Sequence, residues 1–125
     1  MKKLTFKIDN NEFTFINKSE DTRYGFRHTC TLFINDYDRA TISHPYYNRT
    51  WERYTYQTVM IEAIKSVMDE IYESELRYYK ENNDIKRLTA AKRQAFEDGF
   101  NNQIYKSLQE AYSEIKNNIP EGFGW

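Results

Sequence analysis

The stretch Tyr46-Tyr47-Asn48-Arg49-Thr50-Trp51-Glu52-Arg53-Tyr54-Thr55-Tyr56-Gln57-Thr58-Val59-Met60-Ile61-Glu62-Ala63-Ile64 decides the fold. Up to Tyr46 the apolar residues recur at every second position, as on a half-buried strand. From Met60 onward they recur at every third and fourth, as on a helix. Asn48 or Thr50 can act as the N-cap of that helix, because a short polar side chain there accepts from the free amides of the first turn. A strand-forming half therefore hands over to a helix-forming half here, and the fold class expected is α+β.

Downstream, Met60, Ile61, Ile64, Val67, Met68, Ile71, Tyr72, Leu76 and Tyr79 form one apolar stripe, opposite Glu62, Lys65, Ser66, Asp69, Glu73, Arg77 and Lys80. Carried from Trp51 to Lys80, such a helix is roughly 45 Å long, more than a domain of this size needs. Asn82-Asn83-Asp84 is read as its stop and as the cap of a second helical pattern. That pattern uses Ile85, Leu88, Ala91, Ala95 and Phe96, then Phe100, Ile104, Leu108, Ala111, Tyr112 and Ile115. Gly99 is a weak point, so two segments with a bend are expected rather than one continuous helix over 85–118. Pro120 ends helical structure and leaves 119–125 as a tail carrying Phe123 and Trp125.

Upstream, Leu4, Phe6 and Ile8 alternate with polar residues, Asp9-Asn10-Asn11 is a turn cluster, and Phe13 and Phe15 begin a second strand. Asn17 to Tyr24 has no period and reads as a loop. Gly25 to Asn35 alternates throughout, with Phe26, His28, Cys30, Leu32 and Ile34 on one face. Taking Asp36-Tyr37-Asp38 as a turn pairs Ile34 with Ala40, Leu32 with Ile42, Cys30 with His44 and His28 with Tyr46. The expectation is a single domain over 1–125. It has a four-stranded antiparallel sheet in the N-terminal half (1–47), then two or three α-helices (50–118) packed on one face.

The chain's 125 residues suffice for a core without staples, and 17% aromatic content makes that core one of large side chains. A net charge of −1 excludes a surface that is basic or acidic throughout. Cys30, the single cysteine, can form no disulfide within the chain. No apolar run is long enough to span a bilayer, and no signal-like segment follows Met1-Lys2-Lys3. A cytoplasmic protein is expected.

Several chemistries can be weighed on residues alone. His28, Cys30 and His44 on one strand face offer two imidazoles and a thiol, but that face is apolar, a fourth ligand is missing and the spacing is not that of zinc sites. The same residues lack an oxyanion hole for nucleophilic catalysis. There is no glycine-rich phosphate loop, His-Glu-x-x-His motif or nucleophile elbow. The expectation is no enzyme, with no catalytic, cofactor or metal residues.

From Val59 to Asn83 six acids face three bases, most densely at Asp69, Glu70 and Glu73. Lys65 and Arg77, at i,i+4 from Asp69 and Glu73, would make this an ordinary solvated face. Otherwise it is a local plug for a basic groove on a partner. Residues 1 to 58 carry nine bases and seven acids, and Arg23, Arg27, Arg39, Arg49 and Arg53 beside Tyr and Trp rings resemble the cationic and aromatic mix of single-strand binders.

The run Tyr47-Asn48-Arg49-Thr50-Trp51-Glu52-Arg53-Tyr54, followed by Tyr56-Gln57 and Val59-Met60-Ile61, resembles a segment of small bacteriophage and mobile-element proteins of Gram-positive bacteria. Among the neighbours of such proteins are anti-CRISPR proteins against type II systems. The resemblance is confined to this stretch and transfers no functional residues. It implies a phage-encoded inhibitor of a host Cas9-type effector nuclease, a protein partner held by occluding a basic nucleic-acid or domain-docking surface. Asp69, Glu70 and Glu73, with Arg49, Trp51 and Arg53, are the candidate partner-binding residues. The alternatives are a nucleic-acid-binding accessory protein using Arg27, Arg49, Trp51 and Arg53, and a phage structural or assembly protein anchored by its aromatic tail.

Overall fold

Alternating apolar residues at the N-terminus build the sheet. A computed structural model, describing residues 2–23, 25–46 and 52–117, contains β1 (Lys2–Ile8), β2 (Asn11–Thr22), β3 (Gly25–Ile34) and β4 (Tyr37–Tyr46), antiparallel in the order β1-β2-β3-β4. Three helices follow: α1 (Glu52–Asn82), α2 (Ala90–Gly99) and α3 (Gln103–Asn117). The chain has the expected α+β fold. Among the described residues no helix is long and apolar enough to cross a membrane.

Two tight hairpins set the register. Asp9 and Asn10, and again Asn35 and Asp36, have φ between 50° and 71°, the left-handed geometry of a two-residue turn whose twist matches the flanking strands. The second turn corrects the expected pairing of the last two strands. It lies at Asn35-Asp36, so Ile34 pairs with Tyr37, and a β-bulge beside Leu32 and Phe33 restores the alternation. Leu32 then pairs with Ala40, Cys30 with Ile42 and His28 with His44, two residues away from the register read off the sequence.

A second correction concerns Asn17 to Thr22, expected as loop. These residues continue β2 and pair with Gly25–Cys30. Their ladder is supplied by the neighbouring strand, and they carry few apolar residues because the helices cover little of this end. Lys18, Glu20, Asp21 and Thr22 are exposed.

One sheet face is covered. Phe13, Phe15, Cys30, Leu32 and Ile34 pack against Tyr56, Val59, Met60, Ala63, Ile64 and Val67 of α1 and Leu108, Ala111 and Ile115 of α3. Lying over β3 and β4, α1 leaves α3 to fill the space on the β1 side. Buried Asn11 donates to the Ser107 hydroxyl at 3.2 Å and ties β2 to α3. Gln57 donates to the carbonyls of Ile115 and Lys116 at 3.0 and 2.9 Å, closing the C-terminal end of α3 onto the start of α1. The other sheet face is open and hydroxyl-rich, with Thr5 facing Thr14, Thr29 facing Ser43 and Thr31 facing Thr41 at 3.2–3.3 Å.

At 31 residues, α1 is about 46 Å long and overruns the sheet. It ends in a left-handed Asp84, φ 50°, with Ile85 N–H bonded to Lys80 C=O and Asp84 N–H to Glu81 C=O. Residues 85–88 are therefore not helical, contrary to the pattern read over them. Their apolar spacing continues, but Thr89 is the true N-cap, accepting from Lys92 N–H at 3.3 Å. The expected break near Gly99 is present. Phe100 is extended at the end of α2, and Asn102 caps α3 by accepting from Tyr105 N–H at 3.0 Å.

Candidate functional site

The polar residues on the covered sheet face were the first candidates for chemistry. His28 is buried and meets the Tyr56 ring edge-on, with centroids 5.2 Å apart. His44, opposite it on the edge strand, is half-exposed and bonds through Nε2 to Glu62 Oε2 on α1. Cys30 is fully buried, and burial alone pushes its thiol up to about 12, so it holds no thiolate near neutral pH. In the core Cys30 packs as a small apolar side chain beside Leu32 and Ile34. Among the described residues no three His, Cys, Asp or Glu side chains converge as a metal set. The His44–Glu62 pair instead fastens β4 to α1.

Asp69, Glu70 and Glu73 fall on the face of α1 turned away from the core, all exposed and within about 6 Å of rise along the axis. Glu62, seven residues before Asp69 and eight before Glu70, belongs to the same side two helical turns earlier. The neutralising pairs that would have made this an ordinary surface do not form. Lys65 lies instead over the Tyr112 ring of α3, 5.5 Å from its centroid, and Lys116 approaches the same ring at 5.8 Å. Among the described residues no ion pair involves Asp69, Glu70, Glu73 or Arg77. The acidic face is left open to solvent.

Arg27 and Arg39 are not gathered in the same way. Arg27 and Arg39 stand on the open sheet face, Arg27 in line with Pro45 and Arg39 at the bulge beside Phe33. Six positions of β3 separate those lines, about 20 Å. Arg27 also sits opposite Glu20 and donates to Ser43 Oγ at 3.3 Å. Arg49 and Trp51 lie outside the described residues. Arg53 belongs to the first turn of α1, and its side chain is likewise outside them.

What the sequence reading missed is an aromatic group at the far end of α1. Tyr72, Tyr79, Phe96, Phe100 and Tyr105 form a chain of ring contacts with centroids 4.8–5.7 Å apart, joining α1, α2 and the start of α3. The apolar stripe of the sequence includes Tyr72 and Tyr79, yet neither belongs to the main core. The 3.6-residue period is visible in the sequence, but not that Ile71 is the last residue of α1 in the main core. No known family, curated protein or solved structure matches this chain.

Proposed function

We infer that this chain is a binding domain that acts by occupying a basic surface of a protein partner with the Asp69, Glu70 and Glu73 face of α1. The observation that carries this reading is the diversion of Lys65 onto Tyr112, which leaves three adjacent carboxylates without the cations their sequence neighbours could have supplied. Fixed on a helix anchored to a sheet, such charges are positioned before the partner arrives, which lowers the ordering cost of binding. The resemblance of Tyr47–Tyr54 narrows the partner class to an effector nuclease of the Cas9 type. On that reading the chain is a phage-encoded inhibitor working in the cytoplasm of the bacterial host, and it blocks a surface that otherwise holds nucleic acid or docks a domain.

The test is co-purification with such an effector and loss of its cleavage, repeated with Asp69→Lys, Glu70→Lys and Glu73→Lys combined. The triple variant is expected to fold as the parent does and to lose about 100-fold or more in affinity, since like-charge contacts cost several kcal/mol. Undiminished binding would remove this face from the interface. Tight oligonucleotide binding that weakens steeply with salt would instead favour a nucleic-acid role.

A further inference from the structure

We propose that the cavity between the end of α1 and α2 is a receptor for a guanidinium group, filled by an arginine side chain of a polypeptide. This site is on the opposite side of α1 from the acidic face and does not depend on it.

The cavity has a volume of about 310 Å³, and its walls include Glu75, Tyr78, Tyr79, Asn82, Phe96 and Phe100. That is the small end of ligand pockets, which run from roughly 300 to 1,000 Å³, and it suits one side chain better than a whole cofactor. Its rings are not stacked. Tyr79 is tilted by 50° to Phe96 and Phe96 by 56° to Phe100, so they present faces and edges around a concavity. Tyr78 stands at the rim, 66% exposed. Ring faces attract cations, and among the described residues no cation of the chain covers these four rings.

Polar groups at the wall select for donors. Asn82 and Asn83 each donate one side-chain N–H, to the carbonyls of Tyr78 and Tyr79 at 2.9 Å, and these bonds leave their side-chain oxygens available as acceptors. One oxygen of Glu75 accepts from Asn102 at 3.3 Å and the other remains. Two helices also end here, α1 at Asn82 and α2 at Gly99, each directing the negative end of its dipole to the same place. The last turn of α1 carries Lys80, but that of α2 carries no basic residue to offset its dipole. A planar cation with several donors satisfies the rings, the acceptors and the helix ends together.

Gly99 provides a way to close the site. It lines the cavity, and a Cβ built there meets nothing within 4 Å, so Gly99→Leu adds bulk at the cavity wall with no clash at its root. The experiment is an NMR titration of the full chain with Nα-acetyl-arginine amide, its neutral isostere Nα-acetyl-citrulline amide, and free arginine. Saturable shifts of the Tyr78, Tyr79 and Phe96 ring signals are expected with the arginine amide. Binding of the citrulline compound should be at least about tenfold weaker, because it lacks the charge the rings and helix ends attract. Gly99→Leu should abolish the shifts without lowering Tm, and Glu75→Gln should weaken binding several-fold. Equal binding of citrulline, no saturation by tens of millimolar, or arginine shifts that survive Gly99→Leu would each overturn the assignment. Tighter binding of free arginine than of the amide would overturn its attribution to a polypeptide.

Discussion

Between Tyr56 and Ile71, α1 lies on the sheet and buries Val59, Met60, Ala63, Ile64 and Val67 completely. Between Tyr72 and Asn82 the same helix has run past the sheet, where Leu76 is buried apart from the main core and Tyr72 and Tyr79 meet the rings of a ten-residue helix. Aliphatic side chains interlocked with two strands and α3 hold the first segment. A few ring contacts, with hydrogen bonds from Tyr72 to Glu97 at 2.9 Å and from Asn102 to Glu75 at 3.3 Å, hold the second. One helix thus joins a rigid platform to a lightly packed arm, and local stability follows packing rather than helix continuity.

The largest test of this contrast is Ile64→Ala, which opens a cavity at the centre of the platform. It should cost about 3 kcal/mol in denaturant unfolding. A loss under about 1 kcal/mol would mean that the helix is not held by the sheet. Asn17 sharpens the same comparison in the opposite direction. It is fully buried on the covered sheet face, and among the described residues neither of its side-chain polar atoms has a hydrogen-bond partner. Asn17→Leu, of similar shape, should raise stability by about 1–2 kcal/mol, because the desolvation cost of the amide disappears. Destabilisation on that scale would show that the amide is satisfied in solution. The smallest global effect belongs to Phe96→Ala in the arm. Hydrogen exchange should speed up across α2 and residues 76–82, while global unfolding free energy falls by less than about 1 kcal/mol, since the arm opens without the platform. A loss as large as that of Ile64→Ala would make arm and platform a single cooperative unit.

Residues near in sequence explain what was readable. The Asp9-Asn10 hairpin, the alternating strand at Gly25–Ile34, the helical period after Met60 and the break after Gly99 depend on local backbone preference and on which side chains repeat at 2 or 3.6 positions. The exposure of Asp69, Glu70 and Glu73 followed from the same period. The pairing of His28 with His44 was not readable, because it depends on which two residues of Asn35 to Asp38 take the left-handed turn and on a bulge that shifts the register. Nor was the strand at 17–22, whose hydrogen bonds come from β3.

The sequence by itself determined the α+β class, the long first helix and the side of it that carries the acids, because these depend on periodicity along one chain. Only the tertiary structure decided whether those acids are neutralised. Tyr112, from a helix 47 positions away in the chain, takes Lys65 by offering it a ring face. Only the tertiary structure, too, made Ile71 the last residue of α1 in the main core, beyond which the helix packs on rings. Both outcomes depend on which distant surfaces meet, and spacing along a chain does not encode that.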